Sequence, residues 1–290
     1  GEVSMVARLI KNEIPPISAL GLPSQLEKLA LMDRGLILVV GAAGSGKSTT
    51  LASMLDHRNT NRAGHILTVE DPIEFLFKHK KSIVNQREIG MDTLDWAAAL
   101  KNAMRQAPDC ILIGEIRDKE TMQAAIAYAQ TGHLCLATLH ANNSYHALNR
   151  IISFFPLENR PALFLDLSVA LRAIVSQRLV RKPEGNRTPA CEVMLNTRHI
   201  SELIERGEVQ GIKDAMEQTL APGSQTFEQD LFRLYRTGTI ALEEALSNAD
   251  SPTNLSWLIN NAEINPTGGK DERKPDAALE FDSTNAGGAS

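Results

Sequence analysis

The sequence is poor in cysteine. Its 290 residues include three cysteines, Cys110, Cys135 and Cys191, which lie far apart and form no CxxC pair. Two of them fall inside apolar runs, so we expect buried free thiols rather than disulfides. The spacing also excludes a zinc site built from cysteines.

Aromatic residues and excess positive charge are also scarce. Aromatic residues make up 4% of the chain, and 30 basic against 35 acidic residues give a net charge of -5. Proteins that bind nucleic acid without sequence preference usually carry a basic stripe and aromatic residues on which bases stack. The composition therefore argues against a nucleic-acid translocase or helicase, although it does not exclude one.

Long apolar runs are absent as well. No stretch approaches the roughly 18 consecutive apolar residues of a membrane-spanning helix, and the first residues lack the pattern of a signal peptide. We therefore expect a cytoplasmic protein. The chain begins at Gly1, with Met5 inside its first segment, and we expect it to be part of a longer protein.

The middle of the chain alternates between short apolar runs and helical segments of about twelve residues. The runs include "LILVV", "HILTVED", "CILIGEI" and "LCLATLH". Continuous apolar strands separated by helices are typical of a mainly parallel sheet that is covered on both faces. The predicted fold class is therefore α/β, with a nucleotide-binding core.

The pattern divides the chain into four predicted parts. Residues 1–22 contain a short strand over Val6 to Ile10 and a proline-punctuated linker, and residues 23–180 form the α/β core. After residue 150 the period becomes helical, first over residues 168–180 ("SVALRAIVSQRLV"), and residues 181–250 are predicted to form a helical subdomain. Residues 251–290 are polar and predicted to be mostly disordered, above all residues 266–290.

The segment "GAAGSGKSTT" carries the clearest chemical signal. It matches the pattern G-x-x-x-x-G-K-[ST] between a predicted strand and a predicted helix, the setting of a phosphate-binding P-loop. The glycines allow backbone N–H groups to surround phosphates, the lysine reaches the β- and γ-phosphates, and the serine is a ligand of Mg²⁺. The predicted nucleotide-binding residues here are Gly41, Gly44, Ser45, Gly46, Lys47, Ser48 and Thr49.

Acidic residues follow two of the predicted strands. In "ILTVEDPIEF" the strand ends in Glu70 and Asp71, and Glu74 follows a proline; in "CILIGEIRD" the strand is followed by Glu115 and then Arg117. Ligands of open α/β sheets bind at the carboxyl ends of the strands. Glu74 could then act on an attacking water, and Glu115, which we expect beside the P-loop strand, could hold Mg²⁺. A solvated turn is the alternative for Glu74, and surface charge the alternative for the residues after Glu115.

Two histidines flank the strand in "TGHLCLATLH". His133 precedes it and His140 ends it. A single histidine is more often structural, and this spacing is not typical of a metal site. His140 nevertheless stands at the end of a third strand whose carboxyl end carries a polar group, where it could contact a γ-phosphate.

Together, the P-loop, "VEDPIEF", "NQREIG", "ILIGEIRD" and "TGHLCLATLHANNS" resemble the secretion-type hexameric ATPases of type II secretion and type IV pili. The resemblance runs from about Val6 to at least Gln177 and implies a RecA-like P-loop ATPase core that uses ATP and Mg²⁺. It implies that Glu74 is the general base, that Glu115 is the Walker B carboxylate tied to the metal, and that His133 and His140 report nucleotide state. Arg8 resembles a family arginine that reaches a neighbouring subunit's phosphates.

The resemblance also bears on partners. Assembly motors of the family carry a four-cysteine zinc module, and its absence favours the retraction branch, the PilT/PilU type. "HISELIERGEVQGI" departs from the PilT motif "AIRNLIRE", whereas the P-loop region and polar tail resemble the accessory PilU type. This implies a hexameric ring that works with a PilT-like ATPase and an inner-membrane pilus platform protein, at the cytoplasmic face of the inner membrane and without nucleic acid.

Two other functions stay open. One is a nucleic-acid translocase or helicase on a RecA-like core, which turnover stimulated by DNA or RNA would reveal. The other is a regulatory ATP-binding module with weak hydrolysis, because the sequence does not measure a rate.

Overall fold

The computed structural model describes Met5, Ile10 and residues 13–218 and 221–264. Arg8 and the tail over residues 266–290 lie outside the described residues, as does all of the predicted strand over Val6 to Ile10 except its last residue. The expectations for these segments therefore stay predictions.

Within the described residues, seven strands form one sheet in the order β3-β2-β4-β5-β1-β6-β7. All neighbouring strands are parallel except β6 and β7, which are antiparallel. The strands are β1 (Gly35–Val40), β2 (Gly64–Glu70), β3 (Ser82–Glu88), β4 (Cys110–Ile113), β5 (Leu134–Leu139), β6 (Leu171–Arg181) and β7 (Arg187–Leu195). The prediction of an α/β fold with a mainly parallel sheet is confirmed.

The helices cover both faces of the sheet and then form a group of their own near the end of the described chain. They are α1 (Gln25–Ala30), α2 (Lys47–Asn61), α3 (Trp96–Ala103), α4 (Lys119–Gln130), α5 (Ser144–Ser153), α6 (Arg160–Ala170), α7 (Arg198–Glu205), α8 (Ile212–Gln218), α9 (Phe227–Arg236), α10 (Leu242–Ser247) and α11 (Pro252–Ile264).

Strand β1 shows why the sheet is buried on both sides. All six of its residues are buried, and successive side chains point to opposite faces. Leu38 belongs to a core that also contains side chains of α3, α4 and α5. Its neighbour Ile37 belongs to the other core, together with Leu26 of α1 and Leu55 of α2. A strand covered in this way must be apolar throughout, which is why "GLILVV" is recognisable.

The helix predicted over residues 168–180 is wrong for most of its length. Helix α6 ends at Ala170 and the chain continues as β6, which pairs with β1 and β7. Ile174 faces one core of the sheet and Val175 the other. A short apolar run that is buried on both faces has no period that distinguishes a strand from a helix, and here the strand pairing decides. Strand β7 likewise lies within a span that was predicted to be helical.

Two further segments are ordered although their sequence signal is weak. The charged stretch before "IG" contains β3, an edge strand in which Ile83 is exposed and Val84 buried, so its apolar signal is weak. Helix α11 occupies part of the segment that was predicted to be mostly disordered. Leu255 of α11 is buried in a third core with Phe227 and Leu231 of α9. Tertiary packing against α9 therefore orders a segment that has little periodicity of its own.

No helix of the described part is both long enough and apolar enough to cross a membrane. All three cysteines are free and buried, as predicted. Burial raises the pKa of the Cys110 thiol to about 11.

Candidate functional site

The P-loop connects the carboxyl end of β1 to the start of α2. Gly44 and Gly46 adopt φ values of 75° and 91°, in the left-handed region that favours glycine. Lys47 is buried, and its Nζ donates hydrogen bonds to the carbonyl oxygens of Gly41 and Ala42, each at 2.9 Å. The Lys47 side chain therefore folds back onto the backbone of its own loop.

Burial lowers the pKa of Lys47, while the nearby Glu115 and Glu74 act in the opposite direction. Both carboxylates are thus close enough to Lys47 to influence its pKa. This is the arrangement expected where acidic groups face a cation across a binding cleft.

Gln177 of β6 fixes the back of the P-loop. Its Nε2 donates to the Ser45 carbonyl at 2.7 Å, and its Oε1 accepts from the Thr50 hydroxyl at 2.7 Å. A Cβ on Gly46 would lie 2.7 Å from Gln177 Nε2, so this position has no room for a side chain. One buried amide therefore holds both the loop and the first turns of α2.

Three neighbouring strands bring polar side chains to one edge of the sheet. Strands β2, β4 and β5 are adjacent, and Glu74, Glu115 and His140 follow their carboxyl ends. The expectation that Glu115 lies beside the P-loop strand is wrong in one respect, because β5 lies between β1 and β4. Glu115 reaches Lys47 from one strand further away.

Glu115 lies at the centre of an ionic group. His140 Nε2 is 3.4 Å from Glu115 Oε1, and Arg117 Nε donates to Glu115 Oε2 at 2.8 Å. Arg117 also lies 3.4 Å from the Asp71 carboxylate and 5.9 Å from the centre of the Trp96 ring. The hydrogen bond that Arg117 donates to the Glu115 carboxylate is the main reason that the pKa of Arg117 is raised. Arg117 is therefore part of the site rather than unrelated surface charge.

The two glutamates near the end of β2 have different surroundings. Glu70 Oε1 accepts hydrogen bonds from Thr68 Oγ1 at 2.6 Å and Gln86 Nε2 at 3.2 Å. Burial raises the pKa of Glu70, and these hydrogen bonds offset part of the rise. Among the described residues, none donates a hydrogen bond to the Glu74 carboxylate. Glu74 is therefore the carboxylate left available to a ligand or water.

These side chains line one cleft of about 330 Å³. The predicted residues on its wall are Gly44, Lys47, Ser48, Glu74, Glu115 and His140. The remaining predicted P-loop residues, Gly41, Ser45, Gly46 and Thr49, belong to the same loop and to the first turn of α2. Within the described part, Ser45 Oγ is buried and has no hydrogen-bond partner. A buried hydroxyl without a partner is costly, so the loop retains capacity for a polar ligand.

His133 does not reach this cleft. It precedes β5, and its Nδ1 lies 3.2 Å from the Tyr128 carbonyl and 3.0 Å from Thr131 Oγ1. The six residues of β5 separate it from His140, a distance of about 20 Å at the rise of a strand. The structure thus places His133 at the opposite edge of the sheet, against α4.

The cleft has a donor set that suits a hard divalent cation. The Ser48 hydroxyl and the Glu115 carboxylate are oxygen donors on the same wall, beside Lys47. No group of three or more His, Cys, Asp or Glu side chains in the described ranges could hold a metal ion by itself. Mg²⁺ is commonly held by one or two protein oxygens together with phosphate oxygens and waters, so these residues fit it.

Sequence reasoning missed Gln177 and undervalued Arg117. Gln177 lies in the segment that was interpreted as a helix, where its side chain had no predicted partner. Arg117 stands two residues after Glu115, and its position near a strand end was the available signal.

Comparison with known proteins gives a consistent result. Residues 4–219 match the family described as type II/IV secretion system protein. The chain is 52% identical over 258 residues to the type IV pilus ATPase PilU of Pseudomonas aeruginosa, covering 89% of this chain and 68% of the relative. It is 41% identical over 250 residues to the type IV pilus retraction ATPase PilT of the same organism, covering 86% of this chain and 73% of the relative.

A solved structure of the pilus retraction motor PilT with bound ADP superposes with a TM-score of 0.81 and 44% identity, covering 86% of this chain and 71% of that one. This agreement in fold bears out the predicted RecA-like core. The chain belongs to the type II/IV secretion system protein family, and within it to the PilT/PilU branch of secretion ATPases.

Proposed function

We propose that this chain is an ATP-hydrolysing motor subunit of the type IV pilus machine, acting as an accessory ATPase of pilus retraction and twitching motility. The observation that carries the proposal is the cleft in which Lys47, Glu74, Glu115 and His140 converge on the P-loop. The similarity to PilU and PilT supports the same function.

In the proposed reaction, P-loop N–H groups and the Lys47 ammonium bind the phosphates of ATP. For this, Lys47 must exchange its bonds to the Gly41 and Ala42 carbonyls for the β- and γ-phosphates. Ser48 and Glu115 would hold Mg²⁺, which offsets phosphate charge when bound. His140, beside Glu115, would contact the γ-phosphate.

Glu74 would accept a proton from the attacking water. The water oxygen forms a bond to the γ-phosphorus, the bond from that phosphorus to the bridging oxygen breaks, and ADP and phosphate are the products. The absence of donors to the Glu74 carboxylate among the described residues supports this assignment over Glu70, whose Oε1 is already bonded twice.

The motor is proposed to work as a ring, with Arg8 as the arginine that reaches a neighbouring subunit's phosphates. A ligand shared between subunits couples hydrolysis to rigid-body movement, so an isolated subunit should hydrolyse ATP slowly. The proposed partners are a PilT-like retraction ATPase and the inner-membrane pilus platform protein, at the cytoplasmic face of that membrane. The division of the chain into domains also stays part of this proposal, except that β7 belongs to the sheet and α11 to the helical part.

The test is the ATPase rate of the purified protein as a function of its concentration, with and without DNA and with Mg²⁺ or EDTA. A specific activity that rises with ring assembly, requires Mg²⁺ and is indifferent to DNA would support the motor. Stimulation by DNA would favour a translocase instead, and a rate at the level of a Lys47→Ala variant would favour a regulatory module.

A further inference from the structure

The loop that carries His140 is held by residues from much later in the chain. We call residues 140–143 the histidine loop. The Asn142 carbonyl accepts a hydrogen bond from Arg178 Nη2 at 3.3 Å, and Asn143 Nδ2 donates to Asp250 Oδ2 at 2.7 Å. Asn143 and Asp250 are 107 residues apart in sequence, so this bond is a tertiary link.

Asp250 lies between α10 and α11, in the helical part of the molecule. Arg178 Nη2 also donates to Asp250 Oδ1, and Arg178 Nη1 donates to the Asn248 carbonyl. The Arg178 guanidinium lies 3.9 Å from the centre of the Phe227 ring of α9. One arginine side chain thus joins the segment before α11, helix α9 and the histidine loop.

The link continues within the helical part. Ser251, which follows Asp250, donates its N–H to Glu228 Oε1 of α9 at 2.7 Å. The Arg178 and Asp250 side chains are only 22% and 18% exposed, so their ion pair is less screened than one on the surface. Helices α9, α10 and α11 are therefore connected to the histidine loop by a chain of polar contacts, partly buried at Asn248 and Glu228 and exposed where it reaches Asn142 and Asn143.

The start of α5 is fixed separately to the sheet. The Ser144 N–H donates to Glu192 Oε1 at 2.7 Å, and Ser176 Oγ donates to the same oxygen at 2.9 Å. Glu192 is buried on β7, and burial raises its pKa. Asn143 caps α5 by accepting from the His146 N–H at 2.9 Å. The cap uses Asn143 Oδ1, so the amide nitrogen that meets Asp250 is not needed to begin the helix.

His140 is separated from Asn143 by only two residues, and its Nε2 lies 3.4 Å from Glu115 Oε1. A shift at Asn143 must therefore be absorbed by Ala141 and Asn142 or passed to the imidazole. The start of α5 is held by Glu192. A shift at Asn143 therefore moves the histidine loop more easily than it moves α5.

We propose that Asp250 is a positioning residue that, through its bond to Asn143, couples the placement of helices α9–α11 to the placement of His140 in the cleft. The proposal rests on the proposed ATP hydrolysis. Coupling between two sites is reciprocal, so a phosphate that engages His140 must also alter the stability of the link at Asp250. Nucleotide binding in the cleft would then change the stability of α9–α11, and a movement of these helices would change nucleotide binding.

The test exchanges the two partners. Asn143→Asp keeps a good helix cap but sets two carboxylates against each other. Asn143→Asp combined with Asp250→Asn restores the hydrogen bond, with an amide at position 250 donating to a carboxylate at position 143. Asn260→Asp, an equal charge change at an exposed position of α11, is the control.

For Asn143→Asp we expect kcat for ATP to fall about tenfold, with KM nearly unchanged. The double variant should recover most of the loss, and Asn260→Asp should behave as wild type. Asp250→Ala removes the hydrogen bond to Asn143 without adding a carboxylate, and its kcat should fall as in Asn143→Asp. This variant keeps the proposal testable if Asn143→Asp does not fold. A structural role alone would change the free energy of unfolding of these variants but leave the kcat of the folded enzyme unchanged.

Hydrogen exchange provides a readout that does not need turnover. A non-hydrolysable ATP analogue should slow amide exchange in α9–α11 of the wild type and of the double variant, but not of Asn143→Asp. A wild-type kcat in Asn143→Asp, a loss that the double variant does not rescue, or identical exchange in all variants would overturn the coupling. A wild type that hydrolyses no ATP would overturn the proposed function, and the exchange experiment would still decide the coupling.

Discussion

The amide of Gln177 donates a hydrogen bond to the Ser45 carbonyl at 2.7 Å, across 132 residues of sequence. This contact attaches the P-loop to β6, a strand on the far side of β1 from the acidic residues. The rigidity of the loop therefore depends on a part of the chain that carries no recognisable nucleotide motif.

Replacing this amide should weaken the P-loop. Gln177→Ala leaves the Ser45 carbonyl and the Thr50 hydroxyl without their partner, which typically costs about 1–3 kcal/mol for a buried group. We expect a lower free energy of unfolding and weaker ATP binding, measured by chemical denaturation and by calorimetry. Gln123→Ala, at an exposed position of α4, is the control. Equal affinities of the two variants for ATP would show that Gln177 does not shape the loop.

Two glycines with almost the same backbone angle allow strain to be separated from crowding. Gly46 has φ 91° and Gly185 has φ 89°, but a Cβ at Gly46 would meet Gln177 Nε2 at 2.7 Å, whereas one at Gly185 has nothing within 4 Å. Both alanine variants should lose about 1–2 kcal/mol of stability from backbone strain.

Only Gly46→Ala should also lose nucleotide affinity, because its new methyl group displaces the Gln177 amide. Titration with a fluorescent ATP analogue measures this difference. If Gly185→Ala weakened binding as much as Gly46→Ala, the explanation by local crowding would be wrong.

Glu192 should make stability fall as pH rises. Burial raises its pKa above the value of 4.5 that applies to the unfolded chain, so the folded state binds more protons at and above that pH. Stability from this group is then fully present below the unfolded pKa and is lost as pH rises through the folded pKa. Glu192→Gln removes this dependence.

Urea unfolding at several pH values measures the effect as a difference between the wild type and Glu192→Gln. Relative to the variant, the wild type should become less stable from acid toward neutral pH. A difference that is constant across this range, or that changes in the opposite direction, would contradict the prediction.

The sequence predicted the parts of the site in which chemistry and local structure coincide. The P-loop, Glu74, Glu115 and His140 each follow a strand that contains a run of buried residues, so both the strand and the residue after it could be recognised. Their convergence follows from the parallel arrangement of β2, β4 and β5.

What could not be predicted depends on tertiary pairing. Strand β6 resembles a helix in sequence because its residues are buried on both faces. Since the strand was not predicted, the contact of Gln177 with the P-loop could not be predicted either. His133 and His140 have similar local sequence signals, and only the direction of β5 separates them. Arg117 became part of the site through Asp71 and Glu115, which come from different strands.

The account depends most on Glu74 as the group that activates water. Its most direct test is ATP turnover by Glu74→Gln, with ATP binding measured in parallel. Glu70→Gln is the comparison within the cleft, and Glu184→Gln, in an exposed turn, is the control.

The account predicts that Glu74→Gln binds ATP with nearly wild-type affinity and that its kcat falls by about 100-fold or more. Glu70→Gln should lose much less, because its hydrogen bonds from Thr68 and Gln86 can still be accepted by an amide oxygen. Turnover by Glu74→Gln at the wild-type rate would contradict the account.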